Sequence, residues 1–248
     1  MNQLYQRSKI WFAVSWIIVY VIGTSMADLV SGVIGIEKSI TLPFLLLLTL
    51  LAVFWLGKNG LFSYYGLRKP CVRPKAMLFY LPLAVIASCN FWFGVTVNMS
   101  VLETVLSVFS MLLVGFLEEL IFRGFLFQAM RKDSEKAAVI VSSLTFGAGH
   151  LVNLFNGSGA ELLPNLLQVC YAVAAGFLFV IIFCRTQSLL PCVFTHSVLN
   201  ALSVFAVQQN IAQEIFTAVI LCILPILYSV FLLKSCPRPE SQEDGSAL

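Results

Sequence analysis

Charged side chains are scarce in this sequence. Asp, Glu, Lys and Arg make up 11% of its 248 residues, where a soluble domain carries about 25%. Too few polar groups are left to coat a globule of this size, so a water-soluble protein is excluded. Disorder is excluded as well, because 59% of the residues are hydrophobic and such a chain has ample apolar surface to bury. The net charge is only +3 and no basic stripe stands out, which argues against a nucleic-acid binder. Seven cysteines are scattered singly. No two make a CxxC pair, so neither a zinc knuckle nor a redox motif is written here, and they read as small buried hydrophobes. No internal repeat and no second domain is visible. Histidine is scarcer still, with two in the chain, His150 and His196.

Apolar stretches fill the rest, and the mean hydropathy is +0.92. A hydrocarbon core of ~30 Å needs roughly 20 apolar helical residues. Eight stretches approach that length: Ile10–Val30, Ser39–Gly57, Ala76–Val97, Leu102–Met130, Ala137–Phe155, Asn165–Cys184, Leu189–Val207 and Ile215–Leu233. The expected fold class is therefore all-α, a polytopic membrane bundle of about eight transmembrane helices in the cell membrane. The first stretch resembles a signal peptide in its basic start and its Ser25-Met26-Ala27 triplet. It stays apolar beyond that triplet, which favours an uncleaved helix. With both termini cytoplasmic, thirteen of the fifteen basic residues fall in inner segments and only Lys38 falls outside, as the positive-inside rule requires. The expected organisation is a single transmembrane domain over 1–234, followed by a polar cytoplasmic tail over 235–248.

Ionisable groups inside a bilayer cost about 2.5–3.5 kcal/mol each on insertion scales, so each needs a reason. The fourth stretch carries Glu118, Glu119 and Arg123 within GFLEELIFRGFLF. Glu119 and Arg123 are i, i+4 and share a helix face, so they can pair. Glu118 points about 100° away, which leaves one neutralised carboxylate and one spare. Asp28, near the outer end of the first stretch, reads as structural. Both histidines fall within expected spans. His150 shares a face with Phe146 and Asn153, and His196 shares one with Asn200. Counted from the basic flanks at 1.5 Å per residue, Glu118, His150, His196 and Asn200 lie roughly 16–23 Å deep. Polar groups from separate helices thus share one layer, and they are expected to meet in a cavity open toward the cytoplasmic half.

A buried carboxylate without a charge partner can act as a general base or acid, and a nearby His can share the proton of a water molecule. A second His beside an amide suits a developing oxyanion. Glu118 with His150, and His196 with Asn200, could together hydrolyse an amide. The same Glu118, His150 and His196 could instead hold zinc, although the usual HExxH is absent. The residue chemistry leaves both open.

The trio E-E-x-x-x-R (Glu118, Glu119, Arg123), F-x-x-x-H (Phe146, His150) and H-x-x-x-N (His196, Asn200) resembles the CPBP family. These are the CAAX-protease and bacteriocin-processing membrane proteins, also called Abi. The resemblance runs over about 102–207, and HLVNLFNG and LLPCVFTHSVLNALSVF look like its bacterial members. It implies an intramembrane endopeptidase, like the eukaryotic relatives that trim prenylated CAAX proteins. Its substrate would be a membrane-embedded or lipidated peptide or protein. Glu118 and His150 would then activate water, and His196 and Asn200 would hold the oxyanion. Glu119, Arg123, Phe146 and Asn153 would support them. A metal-free mechanism is favoured, with zinc as the alternative cofactor. The rival readings are a non-catalytic bacteriocin-immunity or scaffold protein, and a proton-coupled transporter. The transporter would favour repeated halves, which this sequence does not show.

Overall fold

The computed structural model describes residues 1–156 and 159–237. After a short turn of helix, Asn2–Arg7, come α1 (Lys9–Ile34) and α2 (Thr41–Lys58). A short α3 (Leu81–Ala87) follows. The long helix α4 covers Val101–Arg131, α5 covers Glu135–Leu154 and α6 covers Leu162–Thr186. The chain ends on α7 (Leu190–Ser203) and α8 (Ile211–Ser235). Six of these, α1, α2, α4, α5, α6 and α8, are long and apolar enough to cross a membrane. The protein is an all-α, multi-pass membrane protein. The expected tail over 235–248 lies, beyond Pro237, outside the described residues.

Two of the eight expected stretches fold differently from a single spanning helix. Ala76–Val97 is broken at Leu78, Phe79 and Tyr80, which all take positive φ (47°, 53° and 60°). The cause lies in Pro82, which offers no N–H and whose ring clashes with the carbonyl four residues earlier, on Leu78. Leu189–Val207 yields only the 14 residues of α7, about 21 Å of helix. Beyond it the chain turns, and Thr96 N–H donates to Phe205 O at 2.9 Å beside a β-bridge of Val95 with Ala206.

Ends expected on one side of the membrane do meet. Cys71 N–H donates to Thr186 O at 2.9 Å and Leu189 N–H to Gly66 O at 2.8 Å, while Arg68 Nε donates to Gln187 O at 3.0 Å. These contacts knit the basic segment after α2 to the basic end of α6. On the opposite side, Glu37 N–H reaches Glu103 Oε1 at 3.3 Å. The bundle thus has a basic flank and an opposite flank.

Packing in lipid relies on close approach, because lipid tails give helices no hydrophobic reason to associate. Gly115 of α4 supplies the closest approach. A Cβ there would lie 2.5 Å from the backbone nitrogen of Ser197 in α7, and Ser197 Oγ donates to Leu112 O at 2.8 Å. The next residue back along α7 is His196, so this contact seats the histidine against α4.

Candidate active site

Glu118 ends the α-helical part of α4, and Glu119–Phe127 continues as π-helix. Such wide turns recur at functional sites. All nine residues of the π-helical stretch are buried. The Glu119 side chain is 0% exposed, as is Arg123, whose Nη1 donates to Glu119 Oε1 at 3.1 Å. The expected pairing is present. The guanidinium lies 4.0 Å over the Phe146 ring and 5.6 Å from that of Phe179. Its Nε and Nη2 have no hydrogen-bond partner among the described residues, so the aromatic faces supply the stabilisation those groups would otherwise lack.

His196 joins the two glutamates. Its Nδ1 is 2.9 Å from Glu119 Oε1 and its Nε2 is 3.4 Å from Glu118 Oε2. The ring sits between Phe146 and Phe179, with centroids 5.6 and 6.0 Å away. The Glu118 side chain keeps 13% of its surface exposed. Its Oε1 accepts the Tyr20 hydroxyl of α1 at 2.8 Å. Its Oε2 makes no hydrogen bond among the described residues, because 3.4 Å to His196 is a charge contact rather than a bond of normal length.

Glu118 lines a cavity of about 720 Å3 that also takes in His150, Asn153, His196 and Asn200. His150 begins the tightened last turn of α5. Its carbonyl accepts from the buried Asn165 Nδ2 at 2.9 Å, and its ring stands edge-on to Phe146 at 5.5 Å. Asn153 Nδ2 donates to Gln168 Oε1 at 3.3 Å. The helical spacing that put His196 and Asn200 on one face holds in α7, and both residues reach the cavity.

Beyond the sequence expectation, Glu118 accepts from Tyr20 and lies against His196, as well as sharing the cavity with His150. Among the described residues, no Lys or Arg of the basic flank lines the cavity, and its wall runs through Asp28, Lys38, Glu161, Gln208 and Glu214 toward the opposite flank. The buried π-helical stretch blocks the other direction. Sequence reasoning also passed over Tyr20, although it lies 11 residues beyond Lys9 and so at the depth of the other polar groups. A phenol inside a bundle needs a hydrogen-bond partner, and that need pointed to Glu118.

Among the described residues, no group of three His, Cys, Asp or Glu side chains is gathered so as to hold a metal ion. Asp28, expected to be structural, pairs with Lys38 at 2.7 Å and accepts from Thr41 Oγ1 at 2.5 Å.

Residues 100–202 match the family described as type II CAAX prenyl endopeptidase Rce1-like. That segment contains Glu118, Glu119, Arg123, Phe146, His150, His196 and Asn200. No curated protein and no solved structure gives a significant match to the chain.

Proposed function

Through its segment 100–202 the chain is a member of the CPBP family, and from that premise we propose that it is an intramembrane endopeptidase in which Glu118 activates water without a metal. The observation that carries the reading is the contrast between the adjacent glutamates. Glu119 is sealed and paired with Arg123, whereas the Glu118 side chain has no guanidinium partner and keeps 13% of its surface exposed where it lines a cavity. A water in the cavity beside the Glu118 carboxylate would lie within reach of a general base.

The steps follow from the surrounding donors. Glu118 takes one proton from water, and the remaining oxygen attacks the peptide carbonyl carbon. His150, across the cavity, orients that water. The carbonyl oxygen gains the electron pair and is held by the Asn200 amide and by the His196 Nε2–H. An imidazolium at His196, bonded to Glu119 and in charge contact with Glu118, would together with the Arg123 guanidinium offset the two carboxylates, which limits the cost of burying four ionised groups. Once Glu118 is protonated, the Nε2–H is released to the oxyanion. Glu118 then passes its proton to the leaving nitrogen, the C–N bond breaks, and an acid and an amine depart. Tyr20 fixes the carboxylate by bonding Oε1.

The purified chain, reconstituted in liposomes and offered a quenched-fluorescent peptide library, is expected to cleave a subset of it. Cleavage is expected to persist after treatment with a membrane-permeant chelator. No cleavage of any peptide by folded protein would overturn the hydrolase reading in favour of an immunity or scaffold role. Loss on chelation, restored by stoichiometric zinc, would overturn the metal-free mechanism.

A further inference from the structure

The cavity is lined by exposed polar residues toward one flank, and the charge distribution of the chain says which flank that is. On the basic flank the way to Glu118 is shut. Below it stand the nine buried residues Glu119–Phe127, with Tyr65 packed edge-on to Phe125 at 5.0 Å. Gln128 Nε2 ties α4 to Tyr64 O at 2.9 Å. Ser188 Oγ donates to Arg68 O, which ties the start of α7 to the basic loop. Among the described residues, none of the basic residues of that flank lines the cavity, and Lys38 is the one lysine or arginine in its wall.

The opposite flank is open. Asp28 and Lys38 at the α1–α2 turn, Glu161 before α6, and Gln208, Gln209 and Glu214 around the start of α8 all line the cavity. Ala160, Glu161, Ser203 and Gln208 among them are exposed. A cavity of about 720 Å3 is within the ~300–1,000 Å3 typical of ligand sites, and here one end is lined by polar side chains that can meet water.

Basic segments stay on the cytoplasmic side of a membrane protein. With twelve of the fourteen described Lys and Arg on one flank, we infer that the Glu118 cavity is reached from the extracytoplasmic face and takes peptide segments presented there. The substrate class is then exported or membrane-anchored polypeptides with an outward-facing juxtamembrane segment. Lipidated carboxyl termini displayed in the cytoplasm are on the wrong side. The substrate class rests on the endopeptidase reading above, whereas the side of access stands on geometry and charge alone.

Two cysteine positions test the side of access in intact cells. Native Cys71 is exposed, and it is tied to the basic flank through the carbonyl of Arg185. Gln208→Cys adds an exposed thiol at the cavity mouth. With a membrane-impermeant maleimide, Gln208→Cys is expected to label before the cells are permeabilised and the wild type only afterwards. The second signal should vanish in Cys71→Ser. Labelling of Gln208→Cys only after permeabilisation, with Cys71 reacting in intact cells, would overturn the inference. A companion assay adds an impermeant quenched peptide library to sealed vesicles, with Glu118→Gln as control. Glu118-dependent cleavage by right-side-out vesicles supports the inference, and cleavage by inverted vesicles alone overturns it. If neither orientation cleaves while the labelling pattern holds, the endopeptidase reading fails, and the labelling supports extracytoplasmic access.

Discussion

On one side of the Glu118–Glu119 peptide bond the bundle is hollow and lined with amides, hydroxyls and carboxylates. On the other it is packed shut by Leu120, Ile121, Phe122, Phe125 and Phe127, each at most 3% exposed. Two identical side chains, adjacent in sequence, thus live in different surroundings. The difference teaches that the role of a buried carboxylate is set by which partners reach it. Glu119 receives Arg123 and His196 and has no access to water. Glu118 receives Tyr20 and the edge of His196 and keeps a face on the cavity.

The largest expected effect on stability comes from the sealed side. Glu119→Gln leaves Arg123 as a buried cation without its counter-charge, which costs about 3–5 kcal/mol. A sharp loss of monodisperse protein in detergent and a lower unfolding temperature are the expected readouts. Wild-type yield and melting for this variant would remove the distinction between the two glutamates. Gly115→Ala tests how the histidine is seated. A methyl placed 2.5 Å from Ser197 N must push α7 away, at a cost of about 1–3 kcal/mol. Because His196 moves with α7, turnover should fall further than thermal stability alone explains.

Tyr20→Phe sharpens the comparison from the hollow side. It removes one hydrogen bond to a carboxylate, worth about 1.5–3 kcal/mol, with little change in packing. A fall of at least about tenfold in kcat with a nearly unchanged KM would mark Tyr20 as a positioning residue. An equal change in melting temperature and no change in kcat would make it merely structural. Asp28→Asn should do least. The pair with Lys38 is partly exposed, and such pairs are worth under about 1 kcal/mol. Differential scanning fluorimetry should find a shift of a few degrees at most.

Much of this comparison could be read from the sequence, and the parts that could not have physical reasons. The i, i+4 pairing of Glu119 with Arg123 was legible because it depends on one helix alone. That Glu118, His150, His196 and Asn200 line one cavity was legible because the helical rise is fixed and basic residues mark one edge. The contact of His196 with both glutamates was not, since it depends on how closely α7 approaches α4, and that distance is set by the missing side chain of Gly115. The direction of the opening depends on which end of the bundle is plugged, a matter of side chains from several helices. Apolarity likewise marked Ala76–Val97 for the membrane without revealing the break at Leu78–Tyr80. Pro82 was the available signal for that break.

The central claim is that Glu118 performs the chemistry while Glu119 holds the fold. It is tested most directly by measuring the unfolding temperature and the turnover of Glu118→Gln in one purified preparation. The account predicts melting within a few degrees of wild type and no detectable cleavage of peptides that the wild type cleaves. Retained turnover in a folded Glu118→Gln protein would contradict it.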